Sequence, residues 1–446
     1  MARVPASEAS ITVRARDRSV ARSISVLRSD RAALYAHVLS LIVGTAILFF
    51  LNRHRWFLWD EWVFFGVLHP EWLAGNWKDF LFAPYVSHWV TIPNLLFEAA
   101  YRIGGTHHYW VYLVAPISAH LGVTALVRAA MRRAGVHAWL ATLMALPMLL
   151  TGAGAGNLTF GWQFQFVGAV FFGLAQALIT DVDGRIGRRD IAGLGLGVLC
   201  LMCSAVSLAM IPITAVNLAL RSRWRAAAFQ VFPLAALYLI WFATIGHRGL
   251  PINPPYQLAL IPLFVWTGIA ATFDGLTGIG GVAALMLLGG LLLAVRDGIL
   301  PRLPGYTLPW AMCVAPFLLF LLAGYGRIGA GVDYATGSRY VYIGIACFLP
   351  LLAVLISRHL DTAPFRWIFV GLLAWSMVTN LANLYLEVRL QTGRSNVVHD
   401  TVIALAKNPN LFSMNPTDSV GMPAAGWTID LNVGVVQRMV RAGDLP

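Results

Sequence analysis

Two carboxylates, Asp60 and Glu61, stand side by side between Trp59 and Trp62, shortly after an apolar run that ends at Leu51. A carboxylate held ionised next to a hydroxyl can take its proton while the oxygen attacks an electrophile. The competing use of such acids is to cap a helix N-terminus at the membrane surface. Neighbouring residues on a helix point about 100° apart, so the two acids divide the work. Asp60 is the candidate base; Glu61 orients its surroundings or binds a hydroxyl. Further on, Arg327 and Arg339-Tyr340 fall in one loop between apolar runs. A guanidinium fork matches phosphate oxygens. Arg339 opens an apolar run, where a charge either has a functional partner or snorkels to headgroups. Arg327 is the weaker candidate because Asp333 in the same loop can neutralise it. His88, in Tyr85-Val86-Ser87-His88-Trp89, heads a helical stretch extending to Tyr101 and is placed to touch phosphate or sugar. The rings of Trp59 and Trp62 either stack on a sugar or anchor the loop at the interface.

Of the 446 residues, 58% are hydrophobic and only 12% charged. Soluble domains carry about 25% charged residues, so the chain is an all-α polytopic membrane protein. Its net charge of +12 is dispersed over short loops, as topology determinants are, which excludes a nucleic-acid-binding patch. Cys200, Cys203, Cys313 and Cys347 all sit in apolar runs, where cysteine behaves as a small hydrophobe. His107 and His108 have no third ligand near them in sequence, so no metal is expected. No organic cofactor motif is present.

The arginine pattern sets an orientation. Residues 1–31 form a basic cytoplasmic tail, and the membrane domain follows over residues 32–387. About eleven spans are expected: Ala32–Leu51, Trp110–Val127, Val136–Leu150, Trp162–Ile179, Ile191–Cys203, Ala205–Leu220, Phe229–Ile245, Gly275–Val295, Pro309–Ala323, Tyr340–Ile356 and Ile368–Leu386. Leu258–Thr272 is apolar, but a crossing there would put Arg296 and Arg302 outside; it is expected to be re-entrant or interfacial. Residues 53–107, rich in tryptophan, form a long amphipathic first outer loop. Residues 388–446 form a small extracytoplasmic C-terminal segment, with short helices at Val397–Ala406 and Val433–Val440.

A first span, an aromatic outer loop opening on Asp-Glu, many further spans and an outer tail resemble the GT-C type membrane glycosyltransferases. In particular the layout is similar to the protein O-mannosyltransferases, whose acidic pair in this loop is matched by Asp60 and Glu61. The resemblance implies transfer of a sugar, with inversion, from a polyprenyl-phosphate carrier to a glycan, lipid or protein acceptor outside the plasma (inner) membrane. It also implies a late-loop arginine on the phosphate, matched by Arg339-Tyr340. The chain departs from several members in lacking an acid in its second outer loop, Thr151–Gln163, which weighs against a metal-assisted variant. Asn157-Leu158-Thr159 matches a glycosylation acceptor formally but lies too near the membrane. A polysaccharide polymerase or ligase shares the carrier lipid and the outer arginines. A flippase or transporter would instead show charges buried in mid-span and symmetric broken helices.

Overall fold

The computed structural model describes residues 29–249, 255–303, 305–420 and 431–445; nearly all of the basic tail lies outside the described residues. Helix α1 (Asp30–Leu51) leads into a loop holding short helices α2 (His69–Leu73) and α3 (Trp77–Phe82). A hairpin of β1 (Pro84–Tyr85) and β2 (His88–Trp89) then precedes α4 (Thr91–Gly104). The bundle continues with α5 (Trp110–Arg133), α6 (Ala138–Leu149), α7 (Phe164–Thr180), α8 (Arg188–Leu201), α9 (Ser207–Leu220) and α10 (Trp224–Thr244). Next come α11 (Pro255–Leu258), α12 (Ile261–Thr277), α13 (Ala283–Arg296), α14 (Thr307–Met312), α15 (Val314–Arg327), α16 (Ser338–Ser357), α17 (Ala363–Ala406) and α18 (Val433–Ala442). Among the described residues eight helices are long and apolar enough to cross a membrane, and three shorter ones, α6, α9 and α13, are also apolar.

The bundle has two chemically distinct ends, because an unpaired charge inside an apolar belt is costly. One end is stitched by ion pairs: Arg132–Asp30 at 2.6 Å, Arg133 and Arg221 on Asp181 at 3.2 Å, and His359–Asp297 at 2.9 Å. Arg223 and Asp190 form a buried pair there at 3.0 Å, satisfied further by the Thr180 and Gly184 carbonyls. The opposite end carries Asp60, Arg327 and Arg339, packed under the aromatic first loop.

With α11, helix α12 is long and apolar enough to cross, and it packs on both α15 and α16, reaching Phe348 at mid-helix through Phe273. Phe264 packs on Gly324, one turn from the end of α15, and Gly268 meets Phe320. Thr272 then meets Gly344, and Gly275 meets Val341, one turn into α16. The Gly275 carbonyl accepts from Asn380 Nδ2 at 3.2 Å. The helix thus bridges α15 and α16.

Three expectations are corrected. His88 does not head a helix: it is paired with Tyr85 in the hairpin, and the loop helix begins at Thr91. The boundary drawn at residue 387 falls inside α17, a single 44-residue helix that absorbs the piece expected at Val397–Ala406. The helix runs on through that boundary, with Val388, Gln391, Ser395, Val398 and Val402 buried on one face.

Cysteines placed at the exposed positions Ala259 and Gly280 should react with a membrane-impermeant maleimide from the same side as Asp333, and a cysteine at Arg296 from the other. Labelling of positions 259 and 280 from opposite sides would show that α12 crosses.

Candidate active site

Glu61 builds the site. It is 1% exposed and ends a one-turn 3-10 helix, Trp59–Glu61. One carboxylate oxygen accepts from the Leu58 N–H at 2.9 Å; the other accepts from the Tyr109 hydroxyl at 2.7 Å and the Gly161 N–H at 2.9 Å. These bonds tie the start of α5 and the second outer loop to the acidic turn. Gly161 has to be glycine, since a Cβ there would meet Tyr112 at 2.8 Å. Burial pushes the Glu61 carboxyl up to about 7, against the pull of Tyr109, Arg55 and the two backbone donors. Enclosed in this way, Glu61 has no open face for a ligand. It caps its own turn, as the competing sequence reading had it, and does so from inside the protein.

Asp60, by contrast, is half-buried. Desolvation raises its pKa, while the Tyr85 hydroxyl and then the charges of Arg339 and Arg327 act in the other direction. Its predecessor Trp59 has φ +52°, a conformation costing of order 1–3 kcal/mol in a non-glycine residue. This kink turns Asp60 toward the arginines while Glu61 turns into the core.

The cationic wall is the start of α16. The second outer loop holds it: Gly156 N–H donates to Ser338 Oγ at 2.9 Å and Asn157 Nδ2 to the Arg339 carbonyl at 3.2 Å. The Arg339 guanidinium donates to the Tyr334 hydroxyl and lies among the rings of Phe166, Tyr334 and Tyr340, 5.2–5.9 Å from their centroids. Arg327 lies beside Tyr340 and lines the same cleft. The expected neutralisation of Arg327 by Asp333 does not occur, because Asp333 is exposed and its side chain turns to solvent. Among the described residues no carboxylate oxygen lies within 4.0 Å of either arginine.

His88 faces a cleft of about 150 Å³ that also exposes Arg327 and Tyr340, with Phe166, Leu319, Leu322 and Phe242 as apolar walls. Its Nδ1 accepts from the Ala205 N–H at 3.2 Å. A backbone amide only donates, so the ring proton resides on Nε2. Burial, then the charges of Arg327 and Arg339, push its pKa down to about 3; His88 is a neutral donor at any physiological pH. The hairpin that carries both Tyr85 and His88 turns through Val86 (φ +44°) and Ser87 (φ +73°). That turn normally takes Asn-Gly.

The four groups singled out from sequence, Asp60, Arg339, Arg327 and His88, thus converge, and Tyr340 joins them. Sequence reasoning missed Tyr85 and the second outer loop, whose backbone donors leave no trace in side-chain chemistry. Neither tryptophan is free to stack on a sugar: Trp62 is fully buried, and one face of Trp59 is stacked on Phe160 at 5.1 Å. Asn157 is fully buried, which disposes of the glycosylation match.

The all-helical bundle, with acid and arginines facing each other at one end, is a GT-C type fold. It is similar to the crystal structure of ArnT from Cupriavidus metallidurans bound to undecaprenyl phosphate, with a TM-score of 0.52 and 15% identity over 90% of this chain and 84% of that one. The apo form of the same protein gives a TM-score of 0.56 with 14% identity, over 91% and 85% of the two chains. No family model matches the sequence, and no curated protein matches it.

The raised pKa of Glu61 makes its contribution to stability fully present below the ordinary value of 4.5 and lost as pH rises through about 7. Melting temperature in detergent should therefore fall between pH 5 and pH 8. In Glu61→Gln that slope should shrink, and stability should drop at both pH values, because an amide nitrogen must face one of the three donors, at about 1–3 kcal/mol. An undiminished slope in Glu61→Gln would assign the titration to another group.

Proposed function

We propose that this protein is a membrane glycosyltransferase that moves a sugar from a polyprenyl-phosphate carrier to an acceptor hydroxyl, with inversion. The observation that carries the reading is one ionisable carboxylate, Asp60, under the influence of two arginines that have no carboxylate partner of their own. With Asp60 ionised, two guanidinium ions and a sugar phosphodiester sum to zero charge. Asp60 accepts the acceptor's proton, the oxygen–anomeric carbon bond forms on one face, and the carbon–phosphate oxygen bond breaks on the other. Asp60 is then neutral, the carrier phosphate is a dianion, and the sum is again zero. A site that keeps its charge balanced throughout lowers the barrier by preorganised electrostatics.

In this reading Arg339 and Arg327 hold the carrier phosphate, and the Nε2–H of His88 adds a neutral donor beside them. Tyr340 lies beside Arg327, and the apolar walls of the cleft receive the first prenyl units. Glu61 acts on the reaction only through the shape of the Asp60 turn. Undecaprenyl phosphate, bound by ArnT, is the model carrier. With α8 counted as a span and α12 along the outer side, the chain crosses the bilayer eleven times, the N-terminus in the cytoplasm and the C-terminal segment outside; acceptor and sugar meet on that outer side.

Asp60→Asn should lower transfer roughly 10²- to 10⁴-fold and leave undecaprenyl phosphate binding close to that of the wild type. Arg339→Ala should weaken both, since a cation aimed at developing charge acts in ground and transition states alike. Transfer is measured with purified protein and radiolabelled polyprenyl-phosphate sugars, binding with the carrier alone. Wild-type transfer by Asp60→Asn would remove the proposed base.

Because the base must be ionised and its pKa is raised, kcat/KM should fall on acidification along a limb lying above the usual carboxylate range near 4. The limb should disappear in Asp60→Asn; its survival there would mean a different group titrates.

A further inference from the structure

The outer half of α17 reaches the acidic turn. Trp56 N–H donates to Ser395 Oγ at 3.3 Å, and the Trp56 ring meets His399 edge-on at 4.9 Å. One residue before Ser395, the Arg394 guanidinium lies 5.5 Å from the Trp59 ring centroid. Trp59 in turn stacks nearly parallel, at 21°, on Phe160, and Arg55 lies 4.7 Å from the Phe160 ring. The order is cation, indole, phenyl, cation. Arg55 is buried and donates from Nε to the Thr159 carbonyl at 3.2 Å, so that end of the stack is fixed to the second outer loop. Arg394 forms no ion pair with any described carboxylate.

The residue in the middle is the one whose backbone is strained. A left-handed tryptophan reverts unless its side chain is held, and the immediate consequence of reversion is to swing the next residue, Asp60. A cation over an indole face and a ring stacked on it both act to hold the side chain against that reversion.

We propose that Arg394 is a positioning residue for Asp60: by covering Trp59 from α17 it holds the left-handed turn that points the carboxylate at Arg339. This rests on the function proposed above for Asp60, but the geometry can be tested without any sugar substrate.

Hydrogen exchange followed by mass spectrometry on the whole protein in detergent reads the turn directly. In Arg394→Gln, exchange in peptides covering residues 57–63 should rise several-fold, with the rest of the chain unchanged. Arg394→Lys, which keeps a cation over the indole, should restore most of the protection. In Trp59→Gly, where glycine adopts the left-handed conformation unaided, adding Arg394→Gln should change nothing further in that peptide. In the transfer assay Arg394→Gln should lower kcat about tenfold with little change in KM for the carrier-linked donor. Unchanged exchange at 57–63, a rise spread over the whole bundle, or a full effect of Arg394→Gln in the Trp59→Gly background would each overturn the proposal. If Asp60→Asn transferred sugar normally, the proposed reaction would fall, while the exchange result would still decide whether Arg394 holds the turn.

Discussion

The arrangement depends on one enclosed carboxylate. Glu61 gathers donors from three separate segments, Leu58, Tyr109 and Gly161, at a point with almost no solvent. Burying a carboxylate is expensive unless its oxygens are satisfied. The three segments are therefore held in one relative position: any of them moving away leaves buried polar groups unsatisfied. Because Gly161 and Asn157 belong to the same loop, the hold passes from Glu61 to the Arg339 carbonyl. The acid wall and the cationic wall are thus parts of one hydrogen-bonded unit, and their separation is set by backbone.

This explains why adjacent, chemically similar acids have opposite fates. The kink at Trp59 sends one carboxylate inward, to satisfy donors, and leaves the other half-buried beside tyrosine and arginine. Burial raises the pKa of both; the Tyr85 hydroxyl and then two arginines oppose it at Asp60, the Tyr109 hydroxyl and then Arg55 at Glu61. A change at Glu61 acts on architecture first and on chemistry through it.

How much of this was legible depended on the contrast with apolar surroundings. Asp60, Arg327 and Arg339 stood out because few other charges interrupt the greasy background, and they do converge. The hairpin was hidden because Val86-Ser87 lacks the Asn-Gly chemistry that usually marks such a turn. The second outer loop looked empty because it works through backbone N–H groups and one buried asparagine amide. The placing of Arg327 beside Tyr340 rather than Asp333 was a matter of direction: both residues are close in sequence, and only the fold shows which faces the cleft. The outer half of α17 read as a tail since its polar residues outnumber the buried ones, though the buried ones keep strict helical spacing.

At 1.5 Å per residue, α17 is about 66 Å long, roughly twice the hydrocarbon thickness of a bilayer. Pro364 sits at its start, and no proline interrupts the rest. A rod of this length magnifies tilt. Arg394 lies about 47 Å from the base of the helix, so a change of about 3° displaces it by roughly 2.5 Å. Helix tilt responds to the thickness of the surrounding lipid. The contact between α17 and Trp59 therefore makes bilayer thickness a mechanical input to the aim of a single carboxylate.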